Sequence, residues 1–191
     1  FNDSRVFPAR MYGTRASTGR PVELLLLHCF SPGVWRALVR PGRWMREGEL
    51  FHLSSGGKHV SGEVLSVESD GDRIIRLDNI DDLGDFGVLP MPPYIRQPLE
   101  DQNRYQTVYS RVSGSVAAPT AGLHFTRELL ERIRLAGVET AFVTLHVGWD
   151  SFRPVRTEEV LSHELHSEYW ELGEDVAEAV NCAKGDGRRV I

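Results

Sequence analysis

Between Val22 and Asp78 the chain passes through five short stretches rich in branched residues: VELLLLH, VWRALVR, ELFHL, HVSGEVLSV and RIIRLD. They are separated by SPG at Ser31, RPG at Arg40, SGG at Ser55 and SDGD at Ser69. Stretches this short bury little apolar surface alone, and Gly, Pro, Ser and Asp at such intervals turn the chain back on itself. The spacing therefore predicts a compact β-module, a small antiparallel β-barrel or sandwich. The longest conspicuous apolar run, Leu24 to Leu27, is far short of the ~18 residues of a membrane span.

Beyond this module the pattern changes period. The acidic stretch Asp78 to Asp85 and PMPPYI, Pro90 to Ile95, read as an extended linker. A helix is then expected from Thr126 to Ala136, a strand from Glu139 to Val147, a helix from Glu174 to Lys184, and the first half of a strand at Arg188 to Ile191. That alternation predicts a mixed α/β domain, incomplete in this chain, with a small antiparallel β-barrel inserted into it. The expected division is 1–19 for the start of the catalytic domain and the barrel junction, 20–89 for the barrel, and 90–191 for the α/β catalytic domain without its C-terminal part. Strands of such a layer would bring Thr144 and His146 to a C-terminal edge, where ligands commonly bind. An opening at Phe1 without Met and a strand broken at Ile191 suggest an interior part of a longer protein.

Composition narrows the class. With 191 residues, 41% hydrophobic and 26% charged, the chain is expected to be globular and cytoplasmic, without membrane association. Cys29 and Cys182 lie too far apart in sequence to suggest a disulfide framework or metal knuckle, and both are expected as reduced, buried thiols. A net charge of −5 argues against general nucleic-acid binding, but the charge is uneven. Residues 1–60 hold 9 Lys and Arg against 4 Asp and Glu, a balance of +5, which leaves −10 for the rest. Arg36, Arg40, Arg43 and Arg46 form the dense positive stretch, either a phosphate-backbone footprint or a solvated strand edge. In VWRALVR, alternation groups Arg36, Leu38 and Arg40 on one face, so two guanidinium groups are expected to project together.

The chemistry-bearing segment is SVAAPTAGLHFTRELLERI, Ser115 to Ile133. Pro119 stiffens a small-residue turn that leads into a helix capped by Thr126, with Leu129, Leu130, Ile133 and Ala136 on one face and Gly137 closing it. Unpaired N–H groups there attract anions, which places His124 and Thr126 where a carboxylate or phosphate is held, or in an ordinary capped loop. His124, His146, His163 and His166 could serve as acids or bases, as structural hydrogen-bonding groups or, with Glu164 and Glu168, as metal ligands, although no HExxH or Cys/His spacing accompanies them. GDGRR at Gly185 reads as a helix C-cap and not a dinucleotide loop. Tyr109 is expected in the core and Tyr105, between Arg104 and Gln106, at the site.

Six blocks occur in order: NDSRVFPAR from Asn2, PMPPYI from Pro90, RYQTVYS from Arg104, SVAAPTAGLHFT from Ser115, FVTLHVG from Phe142 and HELHSEYW from His163. Together they resemble the S-adenosylmethionine:tRNA ribosyltransferase-isomerases of queuosine biosynthesis, from Asn2 to the last residue. The resemblance implies transfer of the ribosyl moiety of S-adenosylmethionine to 7-aminomethyl-7-deazaguanine in tRNA, giving epoxyqueuosine-tRNA, adenine and methionine. It implies tRNA and S-adenosylmethionine as partners, the latter a co-substrate, with no cofactor or metal; a monomer is expected. His124 and His146 are then the acid/base candidates, with Thr120, Thr126 and Thr144 orienting polar groups. Arg104 and Gln106 would hold the methionine carboxylate or the base, with Tyr105, His163 and His166 nearby. Asn2, Asp3, Arg5 and Arg10 would form a pocket wall or face RNA, and Arg36, Arg40, Arg43 and Arg46 would contact RNA. Asp150 and Ser151 stand where the family pattern has Gly and Thr, which bears on activity or substrate. Two other readings stay open: a tRNA-binding inactive paralogue or module, and a hydrolase with a histidine-bound metal.

Overall fold

A computed structural model describes residues 1–78, 82–92, 94, 95, 97, 99–152, 159 and 167–191. The chain divides into two compact units, Phe7–Met91 and a second made of Phe1–Val6 with Pro92–Ile191. The second unit is thus interrupted in sequence by the first.

The chain opens with β1 (Ser4–Val6) and then enters the strands of the first unit. These are β2 (Arg10–Arg15), β3 (Pro21–Ser31), β4 (Val34–Arg40), β5 (Leu50–Ser55), β6 (Lys58–Val67) and β7 (Arg73–Leu77). They pair antiparallel in the order β3-β4-β7-β6-β5-β2, and β2 pairs back onto β3, so the sheet closes into a six-stranded barrel. The two-residue β8 (Gly87–Val88) adds to β2. Closure removes the exposed edges that six such strands would otherwise present. Period-2 alternation supplies the filling: Met11, Leu24 and Val39 are opposite one another on three adjacent strands, and all are buried. Phe51 is fully buried opposite Gly62, where a Cβ would collide with Cζ and Cε2 of its ring. Gly62 therefore makes the space that the largest core side chain occupies.

In the second unit β1 pairs in parallel with β9 (Val112–Ser115). β10 (Thr144–Leu145) pairs antiparallel with β11 (Trp170–Glu171), and α1 (Arg127–Leu135) and α2 (Glu174–Gly185) complete it. The architecture is an α/β unit carrying an inserted antiparallel barrel. Among the described residues no helix is long and apolar enough to cross a membrane.

Several expectations change. The strand foreseen over Glu139–Val147 is only two residues long, because its neighbours spend their backbone on irregular partners. Val143 N–H donates to Phe1 O and Val143 O accepts from Asp3 N–H, while Val147 O accepts from Val116 and Ala117. Arg188–Ile191 is no strand, and Arg188 N–H turns back to Ala183 O. Cys29 and Cys182 are exposed and not buried: Cys29 lies at the frayed outer end of β3, and α2 buries none of its residues. Helix α1 is capped as its sequence demands, Thr126 Oγ1 accepting from Leu129 N–H at 3.1 Å, and Gly137 follows at φ +80°. Its apolar stripe is nevertheless only partly covered.

Candidate active site

Among the described residues of the second unit, the tripeptide Asn2–Ser4 is densely hydrogen-bonded. Asn2 Nδ2 donates to Leu145 O at 2.8 Å, and its Oδ1 accepts from Leu145 N–H at 3.1 Å and Ser4 N–H at 3.0 Å. The amide thus acts as a backbone pair that extends β10 sideways. Asp3, only 1% exposed, accepts from Thr144 Oγ1 at 2.8 Å and Arg111 Nε at 2.6 Å. A buried carboxylate needs this much compensation for its lost hydration. These contacts make Asn2, Asp3 and Thr144 supports of the strand that leads into His146.

Those supports fix His146, the residue directly after β10. Its Nδ1 lies 2.7 Å from Ser4 Oγ, Ser4 Oγ lies 2.7 Å from Ser115 Oγ, and Ser115 Oγ accepts from Val147 N–H at 2.8 Å. The imidazole stacks on Tyr169, centroids 5.4 Å apart. On another side it packs against Gly114, where a Cβ would collide with Nε2, Cδ2 and Cε1 of the ring. Burial pushes the His146 pKa down from 6.5, against the opposing field of Asp3. The result is a partly exposed, neutral imidazole in one orientation, suited to hydrogen bonding or proton transfer near neutral pH.

The other candidates divide. His124 ends the 3-10 turn Thr120–His124 and is exposed, with Nδ1 3.2 Å from Ala121 O, and Thr120 and Thr126 are exposed nearby. Tyr105 is 3% exposed and its hydroxyl accepts from Ala118 N–H at 3.4 Å, while burial pushes its pKa up. It braces the buried Ser115–Ala118 arch and does not line an open site. Gln106 is committed to β1, bonding Val6 N–H and Val6 O, and Arg5 donates to Ser110 at 3.1 Å. Arg104 is exposed beside them. Tyr109 packs as expected, 5.1 Å from Phe1 and 5.8 Å from Phe142 between ring centroids. His163 and His166 lie outside the described residues, and among those described no three His, Cys, Asp or Glu side chains group to hold a metal ion.

Arg10 belongs to the barrel and pairs with Glu23 at 3.5 Å. The barrel arginines are not equivalent. Arg36 donates to Asp72 at 2.7 Å and also pairs with Asp70, so its charge is already met by two carboxylates. Arg40, Arg43 and Arg46 are exposed, Arg43 lying over the Trp44 ring at 4.6 Å and Arg46 Nε donating to Arg43 O at 3.4 Å.

The profile of the queuosine biosynthesis proteins matches residues 1–191. The chain belongs to that family. It is 48% identical over its whole length to an S-adenosylmethionine:tRNA ribosyltransferase-isomerase of Desulforamulus reducens, 47% to one of Clostridioides difficile and 46% to one of Dehalococcoides mccartyi. In each case it covers 56% of the relative, so the chain spans about half the length of the curated relatives it matches. A crystal structure of S-adenosylmethionine tRNA ribosyltransferase from Thermotoga maritima aligns at a TM-score of 0.36 and 24% identity, covering 98% of this chain and 48% of that one.

Within this family member, reading the residues missed Ser4, Gly114 and Ser115 as partners of His146. Ser4 sits inside the NDSR block and Ser115 opens the SVAAPTAGLHFT block, so both lay in segments already marked. Their sequence separation of 111 residues hides the 2.7 Å contact. Nothing local distinguishes a serine that bonds a distant histidine from one that bonds water.

Proposed function

We propose that the protein transfers the ribosyl portion of S-adenosylmethionine to 7-aminomethyl-7-deazaguanine in tRNA, releasing adenine and methionine and leaving epoxyqueuosine-tRNA. The observation that carries this reading is 48% identity across the entire chain to a protein named for that activity. S-adenosylmethionine is a co-substrate spent as a pentose donor, and the setting is cytoplasmic. The reaction needs a proton removed beside a sulfonium, help for the departing adenine and exclusion of water from reactive intermediates. His146 and His124 are the groups assigned to proton handling, and the lowered pKa of His146 supports its being neutral and ready at working pH. Arg104 is assigned to the methionine carboxylate, while Gln106 acts by holding β1 beside it. Arg40, Arg43 and Arg46 are assigned to the tRNA backbone.

The test is adenine release from S-adenosylmethionine by the full-length protein. Release that requires tRNA bearing the aminomethyl base is the expected result. tRNA retention with no adenine release would overturn it in favour of a binding module, and loss of activity with a chelator would favour a metal-dependent reaction.

A further inference from the structure

We propose that Ser4 and Ser115 are positioning residues that hold His146 as the neutral imidazole protonated on Nε2, so that the ring offers its ligand a hydrogen-bond donor and not a base. The inference rests on the reading of His146 as a ligand-contacting residue. It follows from counting hydrogens along one chain of bonds. Val147 N–H can only donate, so Ser115 Oγ receives that bond at 2.8 Å. Ser115 is wholly buried, and among the described residues its own hydroxyl hydrogen has one acceptor in reach, Ser4 Oγ at 2.7 Å. Ser4, 1% exposed, has then received a hydrogen and must pass its own to the remaining neighbour, His146 Nδ1, at 2.7 Å. Nδ1 is thereby an acceptor, and the ring proton of the neutral form resides on Nε2.

Each opposite arrangement leaves a buried hydrogen without a partner. If Nδ1 carried the proton and donated to Ser4, then either Ser4 or Ser115 would hold a hydroxyl hydrogen with no acceptor, and a buried unpaired donor forfeits its hydration for nothing. Flipping the ring within the plane set by Tyr169 and Gly114 would put Cδ2, which accepts nothing, against Ser4 Oγ and again leave the Ser4 hydroxyl hydrogen without a partner. Nε2 makes no hydrogen bond among the described residues and so is the atom available to a ligand. The ligand group it suits is an acceptor with a lone pair or developing negative charge, such as a departing purine nitrogen or a carboxylate. A proton abstracted beside a sulfonium would then have to go to another group.

Long-range nitrogen–proton correlation spectra of protein labelled at histidine nitrogen read the tautomer directly, with the His146 signals assigned by their loss in His146→Gln. At about pH 8, where a histidine of ordinary or lowered pKa is neutral, the Nε2–H pattern is expected for the unaltered protein. Ser115→Ala and Ser4→Ala should each convert it to a mixture of tautomers. An Nδ1–H pattern in the unaltered protein, or an unchanged tautomer in both variants, overturns the assignment. Should the variants fail to fold, the unaltered protein alone decides. The spectrum needs no substrate, so absence of ribosyl transfer would sink the enzymatic reading and leave the tautomer standing, and the reverse holds equally.

Discussion

The barrel and the unit into which it is inserted are held together by different physics. In the barrel the largest fully buried side chains are apolar: Phe51, Met11, Leu24, Leu26, Met45, Leu53, Ile75 and Val64. In the other unit they are Val116, Pro92 and the carboxylate of Asp3, and neither helix buries a residue. Long hairpin-connected strands satisfy one another's backbone locally. Strands of two to four residues cannot, so Asn2, Gln106 and Ser115 lend side-chain polar atoms to complete the backbone bonding, while Asp3 and Ser4 tie side chains together. The lesson is one of division: apolar packing builds a scaffold that tolerates sequence drift of similar volume, whereas a polar network fixes the angle and tautomer of a single histidine.

The sharpest way to break this comparison is Phe51→Ala, expected to cost ~3–5 kcal/mol because Gly62 leaves nothing to fill the space. Denaturant unfolding reads it, and a loss below about 1 kcal/mol would show that the barrel is not a tightly packed core. On the polar side, His146→Ala and His124→Ala should each lower tRNA-dependent adenine release by ~10²-fold or more with the fold kept. A fully active variant removes that residue from the chemistry. Asn2→Ala strands the backbone of Leu145 and Ser4 and should destabilise by ~1–3 kcal/mol, read in the same unfolding experiment. A neutral outcome would mean that the polar ties do not carry the second unit.

Two smaller effects refine the contrast. Replacing Arg43 and Arg46 by Gln should flatten the salt dependence of tRNA binding by about one to two units of slope, whereas Arg36→Gln, whose partners are Asp70 and Asp72, should change it by less. Equal slopes in all variants would clear the barrel of RNA contact. The last concerns pH. His146 has a folded pKa below its unfolded value, so its contribution to stability is present above 6.5 and is lost as pH falls through that value towards the folded one. His146→Gln should therefore unfold at denaturant midpoints that shift less between about pH 7.5 and about pH 5.5 than those of the unaltered protein. An identical shift would mean that burial does not hold the ring neutral.

Reading the sequence recovered the barrel because its signal is local and repeated. Turn residues punctuate VELLLLH, VWRALVR and HVSGEVLSV, and each strand pairs with a close neighbour in sequence or across one turn. The strand Arg10–Arg15 escaped notice, since RMYGTR buries only Met11 and looks polar throughout. The exposure of the cysteines escaped too, because a thiol at a strand end and one on a helix carry the same letter as core thiols. Tyr105 was read from its polar neighbours in sequence, but its environment is set by Ala118, thirteen residues on.

Sequence by itself determined what depends on short-range periodicity and stereochemistry: the barrel, the cap at Thr126, the glycine after α1, and the ordered blocks that reveal the family. Tertiary structure alone decided which polar groups meet. Ser4 lies 142 residues from the histidine it bonds, and Arg36 lies 36 from the carboxylate that neutralises it. The physical reason is that burial of apolar surface is non-directional and can be read from a pattern, whereas a hydrogen bond exists only when two particular atoms arrive within about 3 Å at the right angle. That arrival is a property of the assembled backbone.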